Sequence, residues 1–278
     1  MPRGVVDRRL HKVSDVSVAV ARAIAALPTE LARRGVPLIG RVDAGAPDPR
    51  RALEQYRRLA SVYDISTAAG APYRRRTVER LAPAAGEVVL DVGCGTGLNF
   101  PALEEGIGAE GRLIGLDPCP EMLERSRERV AGQGWQNVDL VNAAAEDAEL
   151  GVTVDAAILC GVHDVMRCPD ALANVVRHVR AGGRIVAGGA KWAPWWRPGA
   201  GPLNVSTWAI NRDCVTTLEG FDRPWSRLAE LVPGLRVEEV YFGGGYIAWG
   251  VVAASDARHA GRAAHSTRSA PEPGRRAG

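Results

Sequence analysis

Apolar residues along this chain follow first a helical spacing, then a run of compact apolar blocks. Between 14 and 34, Val16, Val20, Ile24, Leu27 and Leu31 fall near helical intervals, so one face is apolar and Pro28 is expected to split the stretch into two helices. Residues 37–49 carry Pro37, Gly40, Gly45, Pro47 and Pro49 and read as a linker. Helical spacing resumes at Leu53, Tyr56, Leu59 and Tyr63, and a short helix is expected over 73–81. From 87 the pattern changes. VVLDVG (88–93), RLIGLD (112–117), VDLVNA (138–143), VDAAILC (154–160) and GRIVAGG (183–189) are apolar blocks separated by helical stretches. One helix is expected over 120–130, with proline first and Glu121 and Glu124 near its positive end. Another, over 169–180, lines up Leu172, Val175, Val176 and Val179 and is expected to stop at Gly182 and Gly183. Apolar strands alternating with helices predict a parallel sheet covered on both faces.

The C-terminal third breaks this rhythm. A helix is expected over 218–231, followed by two strands within 236–255 joined at 243–245. So short a connection cannot make a parallel crossover, so the last strand must run antiparallel. Residues 256–278 lack periodicity, are rich in Ala, Arg, Gly, Pro and Ser, and are expected to be disordered. The resulting organisation is a helical extension and linker over 1–49, an α/β domain over 50–255 with an insertion over 191–217, and a tail over 256–278.

Composition narrows the function classes. The 278 residues are 46% hydrophobic and 24% charged, which excludes disorder of the whole chain. No stretch approaches ~18 uninterrupted apolar residues, so no transmembrane segment is expected. The net charge of +3 resides in the tail, where five arginines face Asp256 and Glu272. A neutral body gives no electrostatic footprint for nucleic acid. Cysteines 94, 119, 160, 168 and 214 form no CxxC pair and imply reduced thiols, no zinc site and a cytoplasmic setting. The first residues carry no secretory apolar region.

The informative segment is 88–130. A glycine-rich turn after the first strand lets backbone approach a ligand closely, and the helix that follows offers its N-terminal N–H groups. An acid ending the second strand, here Asp117, can accept from two ribose hydroxyls, or it can cap the next helix. A dinucleotide fingerprint needs a third glycine where this chain has Leu98, so the fit to NAD or FAD is poor.

The run Gly93-Cys-Gly95-Thr-Gly97, together with Asp117, resembles the signature of class I S-adenosylmethionine-dependent methyltransferases. Within that family it is similar to the small-molecule branch of quinone-ring and phosphatidylethanolamine N-methyltransferase-like enzymes. The resemblance covers roughly residues 50–255 and implies a doubly wound seven-stranded sheet of order 3-2-1-4-5-7-6. It implies that Gly93, Gly95 and Gly97 pass under the methionine part of S-adenosylmethionine, with Asp91 as an acidic anchor. It further implies Asp117 at the ribose, Met122 against adenine, and Ala145 and Glu146 at the adenine edge. Ala144 stands where the family commonly has an aspartate. Cys160 ends the fourth strand, where cofactor and acceptor meet.

Several residues carry two readings from sequence. Asn99 is either a polar residue of the glycine loop or a contact to the methionine carboxylate. Tyr56 and Tyr63 either pack or close the cofactor site. His163, beside Asp164 after the fourth strand, is a general base or a residue that shapes the pocket by hydrogen bonding. Six of the seven tryptophans lie at or beyond 192, so the 191–217 insertion is either an acceptor pocket, with Asn204, Asn211, Arg212 and Thr216 as its polar groups, or aromatic packing. His178 is expected to be exposed. The expected activity is methyl transfer to a small, apolar or aromatic acceptor. The alternatives are a phospholipid N-methyltransferase, or a cyclase or binding protein that needs the cofactor without methylating.

Overall fold

Between central β-strands rich in Val, Leu, Ile and Ala, the chain inserts helices with one apolar face, and the computed structural model shows how the two combine. It describes residues 46–212 and 214–253. The expected N-terminal helices and the C-terminal tail lie outside the described residues. The helices are α1 (Pro49–Leu59), α2 (Tyr63–Ser66), α3 (Ala71–Leu81), α4 (Phe100–Ile107), α5 (Pro120–Gln133), α6 (His163–Arg167), α7 (Pro169–His178), α8 (Ala200–Asn211) and α9 (Ser226–Leu231). The strands are β1 (Val88–Val92), β2 (Arg112–Leu116), β3 (Val138–Val141), β4 (Val154–Cys160), β5 (Val179–Ala190), β6 (Arg236–Val240) and β7 (Gly245–Val251). They form one sheet of order β3-β2-β1-β4-β5-β7-β6, the order expected. All neighbours are parallel except β7, which runs antiparallel to both β5 and β6.

Alternation along each strand feeds two cores. Leu90 and Val92 of β1, Ala157 and Leu159 of β4, and Ile185 and Ala187 of β5 face one layer, where Leu172, Val175 and Val176 of α7 and Leu228 of α9 pack. Val89, Ile158 and Val186 face the other, against Val78 and Leu81 of α3 and Phe100, Leu103 and Ile107 of α4. A third, smaller cluster joins Leu59 of α1 to Cys119 and Met122, with Leu53, Tyr56 and Tyr63 packed around it. That cluster seats α1 and α2 as a cap over the C-terminal ends of the central strands.

Two elements differ from expectation. The helix expected over 218–231 forms only at Ser226–Leu231. Gly220 adopts φ of 71°, and Pro224 disfavours a helical residue before it, so 218–225 turns instead. The helix expected over 169–180 ends at His178, because Val179 already pairs with Val154 of β4. The register then skips to Ala156 opposite Arg184, leaving 180–183 as a bulge.

Candidate functional site

The C-terminal ends of β1, β2 and β4 open onto a cavity of about 610 Å³, mostly apolar, beneath the α1–α2 cap. This is where ligands collect in an open α/β sheet, beside the order reversal between β1 and β4. Gly93 and Gly95 line it after β1, Asp117 after β2, Met122 on α5, Ala145 and Glu146 after β3, and Cys160, His163 and Asp164 at the end of β4, with Tyr63 above. Gly95 has φ of 57°, and a Cβ there would project toward the Tyr63 ring, 4.0 Å away. A side chain would therefore fill the cleft between glycine loop and cap that the glycine leaves open.

Asp117 is buried, and its two oxygens accept from Gly95 N at 2.9 Å and Cys119 N at 2.8 Å. The Cys119 bond closes a turn just ahead of α5, and each carboxylate oxygen keeps an accepting site. Burial pushes the carboxyl up to about 6, partly offset by the two N–H donors. A ligand that donates here relieves the cost of burying the charge.

Three expected residues stand behind the cavity wall. Asp91 is 0% exposed, and the Asn99 amide donates to both its oxygens at 3.1 Å, while Asn99 Oδ1 is buried with no partner among the described residues. Burial raises the Asp91 carboxyl to about 7. Gly97, at φ of 77°, packs against the Phe100 ring, where a Cβ would come within 2.7 Å. These residues set the loop's shape from beneath.

The cap is fastened to the loop by charge. Asp64 of α2 accepts from Thr96 Oγ1 at 2.5 Å and from Arg129 Nη2 at 2.6 Å, while Arg129 Nε donates to the Thr96 carbonyl at 2.8 Å. Arg57 pairs with Glu121 at 2.7 Å. Tyr56 and Tyr63 meet edge-on at 6.2 Å, and Tyr56 donates to the Cys214 carbonyl at 2.8 Å.

His163 and Asp164 do not form the pair that their adjacency suggests. His163 Nε2 donates to the Glu219 carbonyl at 3.1 Å, and its ring meets Phe221 edge-on at 4.2 Å. A carbonyl only accepts, so Nε2 carries the proton. Burial pulls the imidazole down to about 4. Asp164 instead accepts from Thr216 N and from Thr216 Oγ1, at 2.8 Å for the latter, and Thr216 Oγ1 also accepts from Asp48 N at 3.0 Å. His178 is tied rather than exposed: Nδ1 lies 2.9 Å from the Asn174 carbonyl.

The insertion's expected pocket groups face elsewhere. Trp195 is 88% exposed, and Trp196 and Trp208 are also exposed. Asn204 exchanges hydrogen bonds with Ala193, Asn211 donates to the Thr207 carbonyl, and Arg212 stacks on Trp208. None of them lines the cavity. Further lining comes from Leu53, which the helical spacing named, and from Val165, Arg167, Glu219 and Arg227, which the pattern did not single out. No local signal marks Glu219 or Arg227, because they arrive from the turn before α9 and from α9 itself, far in sequence from the strand ends.

Residues 89–183 match the family described as a methyltransferase domain. Aklanonic acid methyltransferase of Streptomyces sp. strain C5 is 31% identical over 159 residues, covering 55% of this chain and 70% of that protein. The chain belongs to the class I S-adenosylmethionine-dependent methyltransferases. Demethylmenaquinone methyltransferase of Shouchella clausii is 35% identical over 116 residues, and nocamycin O-methyltransferase of Saccharothrix syringae is 32% identical over 161. The alignments cover 41% and 53% of this chain and span about half of each relative, 49% and 54%. The family's fold recurs in a Haemonchus contortus phosphoethanolamine N-methyltransferase, with a TM-score of 0.51 at 13% identity over 66% of this chain and 52% of that one. It recurs also in a chain of the Haloferax volcanii complex of the Trm112 methyltransferase activator with a methyltransferase, at TM-score 0.57 and 15% identity over 73% and 97%. S-adenosylmethionine is the family's cofactor, and the open glycine cradle and the under-used Asp117 carboxylate fit it. Among the described residues, no helix is long and apolar enough to cross a membrane.

Proposed function

We propose that this protein transfers a methyl group from S-adenosylmethionine to a small, apolar or aromatic metabolite. The observation that carries the reading is continuity: one cavity runs from the Gly93–Asp117 end to a largely apolar wall of Pro47, Leu53, Val162, Val165 and Pro169. The relatives' names point the same way, since aklanonic acid, demethylmenaquinone and nocamycin methyltransferases act on small molecules. Gly93 and Gly95 hold the methionine part, Asp117 accepts from the ribose, Met122 lies against adenine, and Ala145 and Glu146 edge the ring, with Tyr63 and Cys160 closing the reacting end. Bound there, S-adenosylmethionine supplies a sulfonium methyl open to in-line displacement. The chain's part is to align the acceptor and exclude water, and the cap of α1 and α2 does both. His163 shapes the acceptor side: its Nε2 is committed to Glu219, and its lowered basicity makes it a weak proton acceptor.

Calorimetry with S-adenosylhomocysteine tests the cofactor half. Asp117→Ala removes two charge-assisted bonds of ~1.5–3 kcal/mol each, so affinity should fall at least about 100-fold. Unchanged affinity in a folded variant overturns the assignment. Incubation with labelled S-adenosylmethionine and cell extract tests the chemistry, because a non-methylating protein transfers no label.

A further inference from the structure

We infer that the outer face of α8 is the docking site for residues 14–34 of this same chain. That face is apolar and open. None of the 12 residues of α8 is charged. Three of them turn inward: Leu203 lies over Gly244, Asn204 exchanges hydrogen bonds with Ala193, and Thr207 is buried. Pro202, Val205 and Trp208 point the other way, one turn apart, into solvent, and Val205 is 65% exposed. A helix over solvent ordinarily carries charge on its outer face. Trp195 and Trp196, also exposed, stand in the turn that leads into the helix. Four of the eight large apolar side chains exposed among the described residues thus fall within 195–208, a concentration that marks a contact surface.

Position and length name the occupant. The described chain begins beside this helix: Asp48 N donates to Thr216 Oγ1 at 3.0 Å, and Val215 N donates at 3.0 Å to the carbonyl of Asn211, the last residue of α8. Residues 35–45 separate that point from the 14–34 stripe, and so many residues extend to about 36 Å. At about 18 Å, the whole length of α8 is within reach. Val16, Val20, Ile24 and Leu27 precede Pro28 and span about 16 Å at helical rise, a match for α8. The tether holds the stripe at an effective concentration on the order of millimolar, far above a second copy at micromolar concentration. A bilayer is the poorer occupant, because α8 offers no cation to a lipid headgroup. The segment runs on into α1, whose first turn lines the cavity at Pro49 and Arg50, so docking anchors the cap from outside.

The test puts the photoreactive residue p-benzoylphenylalanine in place of Val205 in the full-length protein, an exposed site where folding is not at stake. Chains with light and heavy nitrogen are mixed, irradiated and read by mass spectrometry. The expected product joins position 205 to a peptide within 14–34 of the same chain, with one isotope throughout. Mixed-isotope products mean that a second copy covers the face, and absence of any link to 14–34 means that the segment lies elsewhere. Either result overturns the proposal. Amide exchange supplies an independent reading. Val205→Asp should speed exchange over 14–34 at least about fivefold while leaving 88–116 unchanged, and Ile24→Asp should do the same. Exchange over 14–34 indistinguishable from wild type in either variant overturns the proposal. Flotation with phosphatidylglycerol–phosphatidylcholine vesicles tests the remaining occupant. A wild type that floats, with a Val205→Asp variant that does not, assigns the face to lipid and overturns docking in cis.

Discussion

Gly97 and His163 show how one side chain's surroundings decide its part. At Gly97, alanine would meet both a left-handed backbone and the Phe100 ring. Gly97→Ala is therefore expected to cost about 2–4 kcal/mol, read as a lower urea midpoint at unchanged m-value. For His163, glutamine can keep a donor toward the Glu219 carbonyl. His163→Gln should hold turnover within about tenfold of wild type and change mainly the acceptor KM, whereas loss of a general base costs ~10²–10⁴-fold. Larger loss in kcat, with removal of the acidic limb of the pH–rate profile, would restore the base reading. At this scale Asp117 was legible from its place at the end of β2, whereas Met122, Ala145 and Glu146 were named by the family resemblance; all four line the cavity. Adjacency misled at Asp164, because Thr216, 52 positions away, takes its oxygens.

Among the elements, the cap depends on few groups. Leu53, Tyr56 and Leu59 pack on Cys119 and Met122, and Asp64 links α2 to the glycine loop through Thr96 and Arg129. Asp64→Ala should speed amide exchange over 49–66 and weaken S-adenosylhomocysteine several-fold. Because the Asp64 side chain is about half exposed, global stability should shift by less than about 1 kcal/mol. Exchange indistinguishable from wild type would show that apolar packing alone seats the cap. The parallel strands and their flanking helices were readable because the blocks of β1, β2 and β4 are buried on both faces, while β3 at the edge is only half-buried. The 218–231 segment misled because Phe221, Trp225 and Leu228 keep helical spacing although Gly220 and Pro224 break the helix. The tryptophans misled because bulk and apolarity do not say which way a side chain faces, and Trp195 faces solvent.

For the molecule as a whole, burial of ionisable groups around the site sets an unusual dependence on pH. The folded chain keeps protons on Asp91 up to about 7 and on Asp117 up to about 6, while the unfolded chain loses them near 4. Stability from these acids therefore falls as pH rises through that window. His163 works the other way, since the unfolded imidazole protonates below about 6.5 and the folded one only near 4. The two acids outweigh it. Without ligand, urea unfolding should show the protein about 2 kcal/mol more stable at pH 5 than at pH 7, and Asp117→Asn should shrink that difference. A flat or rising profile would mean that these carboxylates ionise in the fold as freely as in water. The Thr216 hydroxyl, which joins Asp48 at the head of the cap to Asp164 after β4, has a consequence for engineering. Anyone grafting a new acceptor specificity onto this scaffold would have to exchange the cap's first turn, the loop after β4 and the connection between α8 and α9 around 216 as a set. A chimera that replaced one of them would leave the other two holding a bond with no counterpart.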